Sequence, residues 1–176
     1  MDNTLTALFS LDSLANQAAT AQILSLNEKS EQYGLSLTPE DAAALMQTRS
    51  EALTANGRIE IGGGTISKFI DAFCDSPYIR QGDYTATLHE LIELFYYVKS
   101  ESMDLISDDD LIEFMKDCYE NRCMGSLELM AGRELEKLAD NLRFGVKNFK
   151  DMDYEIRYEE DSMAEKEDLE EKPDEQ

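Results

Sequence analysis

The sequence predicts a mainly α-helical bundle of five to six helices, with room for a small two-stranded β ribbon. Three observations carry this reading. Apolar residues recur at spacings of three and four through most of the first 145 positions. Capping residues stand ahead of several of these stretches, at Thr38, Thr65, Ser107 and Ser126. Glycine closes two of them, at Gly34 and at Asn56-Gly57.

Asp12 to Tyr33, rich in Ala, Leu and Gln, reads as one helix that stops at Gly34. Ala15, Ala18, Ala19 and Ala21 predict close approach to neighbouring helices. Thr38-Pro39-Glu40-Asp41 opens the next helix with a capping hydroxyl, a proline at the first helical position and two acids near the positive dipole end. That helix runs to about Ala55. Arg58-Ile59-Glu60-Ile61 then alternates like a short strand, and Gly62-Gly63-Gly64 interrupts it. Thr65 is expected to cap a short helix through Cys74, which Pro77 helps to end. Asp83 to Ser100 is the most hydrophobic helix. At about 100° per residue, Leu88, Leu91, Ile92, Leu94, Phe95 and Val98 cover more than half its circumference, which predicts a central position. Ser107 and the acids Asp108 to Asp110 open another helix, with Leu111, Ile112, Met115, Cys118 and Tyr119 on one face. Ser126 begins the last one, with Leu127, Met130, Ala131, Leu135, Leu138 and Leu142 inward, fading near Gly145.

Beyond that point Met152, Tyr154, Ile156 and Tyr158 alternate with Asp153, Glu155, Arg157 and Glu159. A period of two suits a strand, and the segment at Ile59 and Ile61 is its only obvious mate; this is the ribbon. From Glu160 onward no core can be built. The division is therefore a helical domain over 1–145 and an acidic C-terminal tail over 146–176.

Asp151 to Gln176 carries 13 acidic groups against Arg157, Lys166 and Lys172, within a chain of net charge -22. Such a chain repels phosphate backbones and anionic membranes, which argues against direct nucleic-acid binding and against a membrane role. No stretch approaches the roughly 18 apolar residues of a membrane span. Met1-Asp2-Asn3-Thr4-Leu5 lacks the basic start and apolar run of a signal peptide. Cys74, Cys118 and Cys123 form an odd set with no pairwise framework, which suits a reducing compartment; a cytoplasmic location is expected.

The run Gly125-Ser126-Leu127-Glu128-Leu129, continuing as Gly132-Arg133-Glu134-Leu135-Glu136-Lys137-Leu138, is similar to the ending of an uncharacterised bacterial helical family. The hydrophobic His89–Lys99 segment resembles the same group. The likeness extends over residues 1–145. It implies a bacterial, mainly helical domain of unknown role and carries over no catalytic residue.

Each chemical motif has a plainer explanation beside it. His89-Glu90-Leu91-Ile92-Glu93 is half of a helical zinc-protease motif, but the second ligand would have to be histidine and is Glu93. A stable zinc site needs at least three protein ligands and His89 is the only histidine, so no metal is expected. Gly62-Gly63-Gly64-Thr65 could cradle a phosphate, yet no Gly-Lys-Ser/Thr ending follows and a flexible connector explains the glycines. Cys118 and Cys123 are five apart, which matches neither a redox nor a zinc spacing, and inert packing is favoured. Asp108 to Asp110 lacks the alternating ligands of a calcium loop and complements a helix dipole instead. No cofactor and no catalytic residue follow.

Two charges break the hydrophobic pattern. Arg49 projects between Leu45, Met46 and Leu53, and Glu134 between Met130, Ala131 and Leu138. A lone buried charge costs several kcal/mol, so each needs a partner or an exit to water, and each is a candidate partner for the other. Arg49, Glu134 and His89 together form the candidate polar centre. Tyr154, Ile156 and Tyr158 are the candidate partner-binding residues of the tail. The favoured function is a non-enzymatic protein-protein interaction or regulatory module whose partner carries a basic surface. The alternatives are a small-ligand binder or enzyme with an interhelical polar pocket, and an acidic decoy of a nucleic-acid-binding protein.

Overall fold

The computed structural model describes residues 17–60 and 64–145. Helix α1 covers 17–25, and α2, Asn27–Ser30, follows after a turn at Leu26. The single helix expected here is interrupted because the Leu26 N–H donates back to the Ile23 carbonyl at 3.1 Å, tightening the turn. A 3-10 turn, Glu31–Tyr33, then ends at Gly34 with φ 77°, the left-handed stop that the glycine supplies. Of the four alanines, Ala19 is buried, Ala18 and Ala21 are exposed, and Ala15 lies outside the described residues. Among the described alanines of this set, Ala19 alone faces inward.

The chain next runs extended through Leu35 and Leu37, both buried. Two side-chain amides hold it in place of a sheet neighbour. Asn27 donates to the Leu37 carbonyl at 2.8 Å and accepts from its N–H at 2.9 Å, while Gln81 does the same to Ser36 at 3.0 and 2.7 Å. This satisfies backbone groups that no helix or ladder reaches.

Helix α3, Pro39–Ala55, starts as its sequence predicts. The Thr38 hydroxyl accepts from the Asp41 N–H, and the Asp41 carboxylate accepts from the Thr38 N–H, a complete capping box. Helix α4, Gly64–Phe73, already contains Thr65, so this residue does not cap it; its buried hydroxyl lies within hydrogen-bonding distance, 3.2 Å, of the Tyr96 hydroxyl. Helix α5, Tyr84–Glu101, is the centre of the bundle, packed against α3 and α4, and its Leu88, Leu91, Ile92, Phe95, Tyr96 and Val98 are fully buried. Edge-on aromatic pairs tie it to its neighbours: Phe69 to Phe95 at 5.5 Å and 87°. Such a pair adds about 0.5–1.5 kcal/mol to simple area burial.

Helix α6, Asp108–Asp117, is capped by Ser107, whose hydroxyl accepts from the Asp110 N–H. It then widens into a π segment, Cys118–Arg122, where the Cys123 N–H donates to the Cys118 carbonyl at 2.8 Å. The last helical stretch begins at Ser126 as expected and divides into α7, Leu127–Leu129, a second π segment, Met130–Leu135, and α8, Glu136–Arg143. Met130, Leu135, Leu138 and Leu142 face the core.

No strand occurs among the described residues, and the ribbon is not seen. Arg58–Glu60 is irregular because its two charged side chains are drawn into ion pairs, leaving Ile59 95% exposed. Ile61 and the proposed mate Met152–Tyr158 lie outside the described residues, as do the candidate partner-binding Tyr154, Ile156 and Tyr158.

Candidate functional site: two buried polar centres and an apolar tip

Arg49 is only 6% exposed, as its place on the α3 stripe predicts. It does not pair with Glu134. Its Nη2 donates to Glu60 Oε2 at 3.1 Å, and the same carboxylate oxygen accepts from the Tyr96 hydroxyl at 2.8 Å. Glu60 Oε1 lies 3.5 Å from Arg58 Nη2. Burial first of all raises the Tyr96 phenol above its ordinary value, keeping it a neutral donor.

Arg58 continues the network outward. Its Nη1 donates to both Asp104 oxygens at 2.7 and 2.8 Å, which raises the arginine and holds the Asp104 carboxyl below its usual range. Asp104 also lies 3.2 Å from Lys99 Nζ. Lys99 is 5% exposed and fully engaged, with the Ile106 carbonyl at 2.7 Å and Asp108 at 3.0 Å. This cluster fixes the α5–α6 turn, where Met103 and Asp104 take positive φ of 53° and 58°. Two consecutive non-glycine residues in this region store roughly 1–3 kcal/mol each, and they persist because the ion pairs over-determine them.

Glu134 is fully buried at 0% exposure. Its partners are Arg133 Nε at 2.7 Å and Arg122 Nη1 at 3.3 Å, from the two π segments, rather than Arg49. Arg122 further holds Asp117 at 3.1 Å and stacks over the Phe114 ring at 5.5 Å. Direct Arg49–Glu134 pairing is therefore corrected. Each helix stripe meets a different neighbour, and each charge takes a nearer partner that α3 periodicity or α7–α8 periodicity cannot reveal.

His89 belongs to neither centre. It is half-buried on α5, with Nδ1 2.5 Å from the Thr48 hydroxyl of α3. The three residues expected to form one polar centre are thus distributed over three settings. Cys74, Cys118 and Cys123 are free and buried, and desolvation pushes each thiol up, which suits inert packing. Among the described residues no group of three or more His, Cys, Asp or Glu is placed to hold a metal ion. An open surface groove of about 350 Å³ lies between α4 and α6, lined by Lys68, Asp71, Ala72, Asp109, Ile112 and Lys116 together with Glu113. None of Arg49, His89 and Glu134 lines it.

Sequence reasoning missed Glu60, Tyr96, Lys99 and Arg122. One of them was legible: Lys99 follows Phe95 by four and Ile92 by seven, on the same α5 stripe. Glu60 sits in an irregular segment where no period operates.

The surface bears an apolar tip. Ile59 at 95%, Met103 at 64% and Leu105 at 58% exposure adjoin the Arg58–Asp104 ion pair in sequence, so that the pair gathers all three at one end of the bundle.

These features define a mainly helical bundle domain with ion-paired polar centres. The chain belongs to a family of unknown function (DUF6323), whose pattern matches residues 22–148. Membership of an uncharacterised family thus holds over a range slightly shifted from the expected 1–145. No curated protein and no solved structure matches the chain. Among the described residues no helix is long and apolar enough to cross a membrane.

Proposed function

We propose that this chain is a non-enzymatic protein-interaction or regulatory module, with residues 1–145 as its helical domain and 146–176 as an acidic extension. The observation that carries the reading is the apolar tip of Ile59, Met103 and Leu105, large side chains exposed to water on either side of the Arg58–Asp104 ion pair, with Met103 in the strained α5–α6 turn. Exposed apolar clusters rimmed by charge mark contact surfaces, and backbone strain held by surrounding ion pairs marks functional segments. The net charge of -22 steers the module toward a basic partner. In the same reading Tyr154, Ile156 and Tyr158 add apolar anchors among the tail acids. The setting is cytoplasmic, in keeping with three free buried thiols.

The other readings have less support. A decoy needs an unpaired acidic array, whereas Glu60, Asp71, Asp75, Asp104, Asp108 and Asp109 all face cations. An interhelical enzyme pocket would have to gather Arg49, Glu134 and His89, which bond to different groups.

Affinity capture from native lysate tests the proposal, with the full chain set beside the triple variant Ile59→Ser, Met103→Ser, Leu105→Ser. The expected result is a basic polypeptide held by the unaltered chain, lost from the variant, and held less as salt rises. Identical capture by both proteins, with circular dichroism unchanged, would overturn it.

A further inference from the structure

We propose that the Arg49 centre is an oxyanion-binding site for a carboxylate or phosphate group, and that Glu60 fills it from within the chain when no such ligand is bound. The inference goes beyond the interaction surface and does not depend on it.

Two buried cations stand at this end of the bundle, and they differ in how fully they are bonded. Lys99 has three N–H donors and three acceptors: the Ile106 carbonyl, Asp104 and Asp108. Arg49 offers five N–H donors in a rigid fork, yet among the described residues its one acceptor is Glu60 Oε2 at 3.1 Å. Charge-assisted bonds usually span about 2.7–2.9 Å, so even this contact is slack. The Arg49 Nε is buried with no partner among the described residues. A buried donor in that state is costly and calls for an explanation.

An oxyanion supplies the missing geometry, because two of its oxygens match the Nε and Nη edges of a guanidinium at once. The Tyr96 hydroxyl stands ready as a further donor, anchored between Glu60 and Thr65 at 2.8 and 3.2 Å. Arg58, engaged with Asp104 and 3.5 Å from Glu60, brings a second guanidinium beside the site, its buried Nε without a partner among the described residues. Glu60 is suited to yield its place. It lies in the irregular Arg58–Glu60 segment, its side chain is 27% exposed, and the preceding Ile59 stands out in solvent. A ligand oxyanion would replace its carboxylate with little rearrangement of α3 or α5. The net charge of -22 opposes anions at long range and sets millimolar affinity as the expectation for simple ions.

The test is thermal unfolding of the full chain and of Glu60→Ala, titrated with sodium acetate and with inorganic phosphate against chloride at matched ionic strength. Emptying the site from within should make Glu60→Ala respond to added oxyanion. Occupancy at about ten times Kd should raise its Tm by about 3–6 °C. Adding Arg49→Met to Glu60→Ala should abolish the rise. A response to acetate alone identifies a carboxylate ligand, a response to phosphate alone a phosphoryl ligand, and a response to both the shared chemistry. No saturable rise over chloride, or an equal rise without Arg49, overturns the proposal. Should Glu60→Ala not fold, Glu60→Gln takes its place in the same titrations. If neither variant folds, the Arg49 Nε–H signal of the unaltered, 15N-arginine-labelled chain decides: it shifts with acetate or phosphate, or the site does not exist.

Discussion

Glu134 gives the sharpest stability prediction, because its carboxylate has no access to water and depends on two arginines. Replacing Arg122 with Met removes the 3.3 Å contact and leaves Arg133 alone against Glu134. A complete break of a buried pair costs about 3–5 kcal/mol. With one partner retained, but the Asp117 bridge and the Phe114 stacking also lost, we expect about 3 kcal/mol from Arg122→Met. The reverse change, Glu134→Leu, strands no buried charge. Arg122 keeps Asp117 at 3.1 Å, and the half-exposed Arg133 turns to water, so about 1–2 kcal/mol is expected. The double replacement should recover most of the loss, within about 1 kcal/mol of the unaltered chain, because an apolar pair fills the same space. Urea unfolding followed by far-UV circular dichroism measures all four proteins, with unchanged m-values as the check on the denatured state. Costs that add within about 0.5 kcal/mol would refute the coupling, since contacting groups interact and independent ones do not. Equal costs for the two single changes would refute the asymmetry, which rests on Glu134 being the dry partner.

Gly125 has φ 83°, and an added Cβ would meet Tyr78 Cβ at 2.6 Å, so Gly125→Ala should destabilise by about 2–3 kcal/mol in the same urea assay. Gly34→Ala, with a similar φ but open space around it, should cost only about 1 kcal/mol. Asp104 gives a pH signature. Its carboxyl is held below 3.8 chiefly by the hydrogen bond from Arg58, so its stabilisation is present above that value and is lost as pH falls through the lowered one. The unaltered chain should therefore exceed Asp104→Asn in Tm at neutral pH, and the two curves should converge as pH drops below about 4; parallel curves would show that the ion pair contributes nothing.

Helix positions were legible because local rules fix them. Thr38-Pro39 and Ser107 each supply an acceptor to a backbone N–H within their own first turn, so their caps depend on no distant residue. The burial of Arg49 and Glu134 was legible for the same reason, since a regular helix dictates which side chains share a face. Thr65 shows where local rules end. Its hydroxyl is the right group for a cap, but α4 begins one residue earlier and Tyr96, far along the chain, claims it.

By itself, then, the sequence determined a helical bundle with α5 at its centre, the ends of its helices and the two charges that the core would have to accommodate. Partner choice belonged to the tertiary structure. Arg49 found Glu60 on an irregular segment, and Glu134 found Arg122 where two π segments meet, because a buried charge binds whichever counter-charge packing brings within about 3 Å. The apolar tip was likewise a tertiary outcome. Ile59 and Met103 are 44 positions apart, and the Arg58–Asp104 bridge joins the residues next to them in sequence.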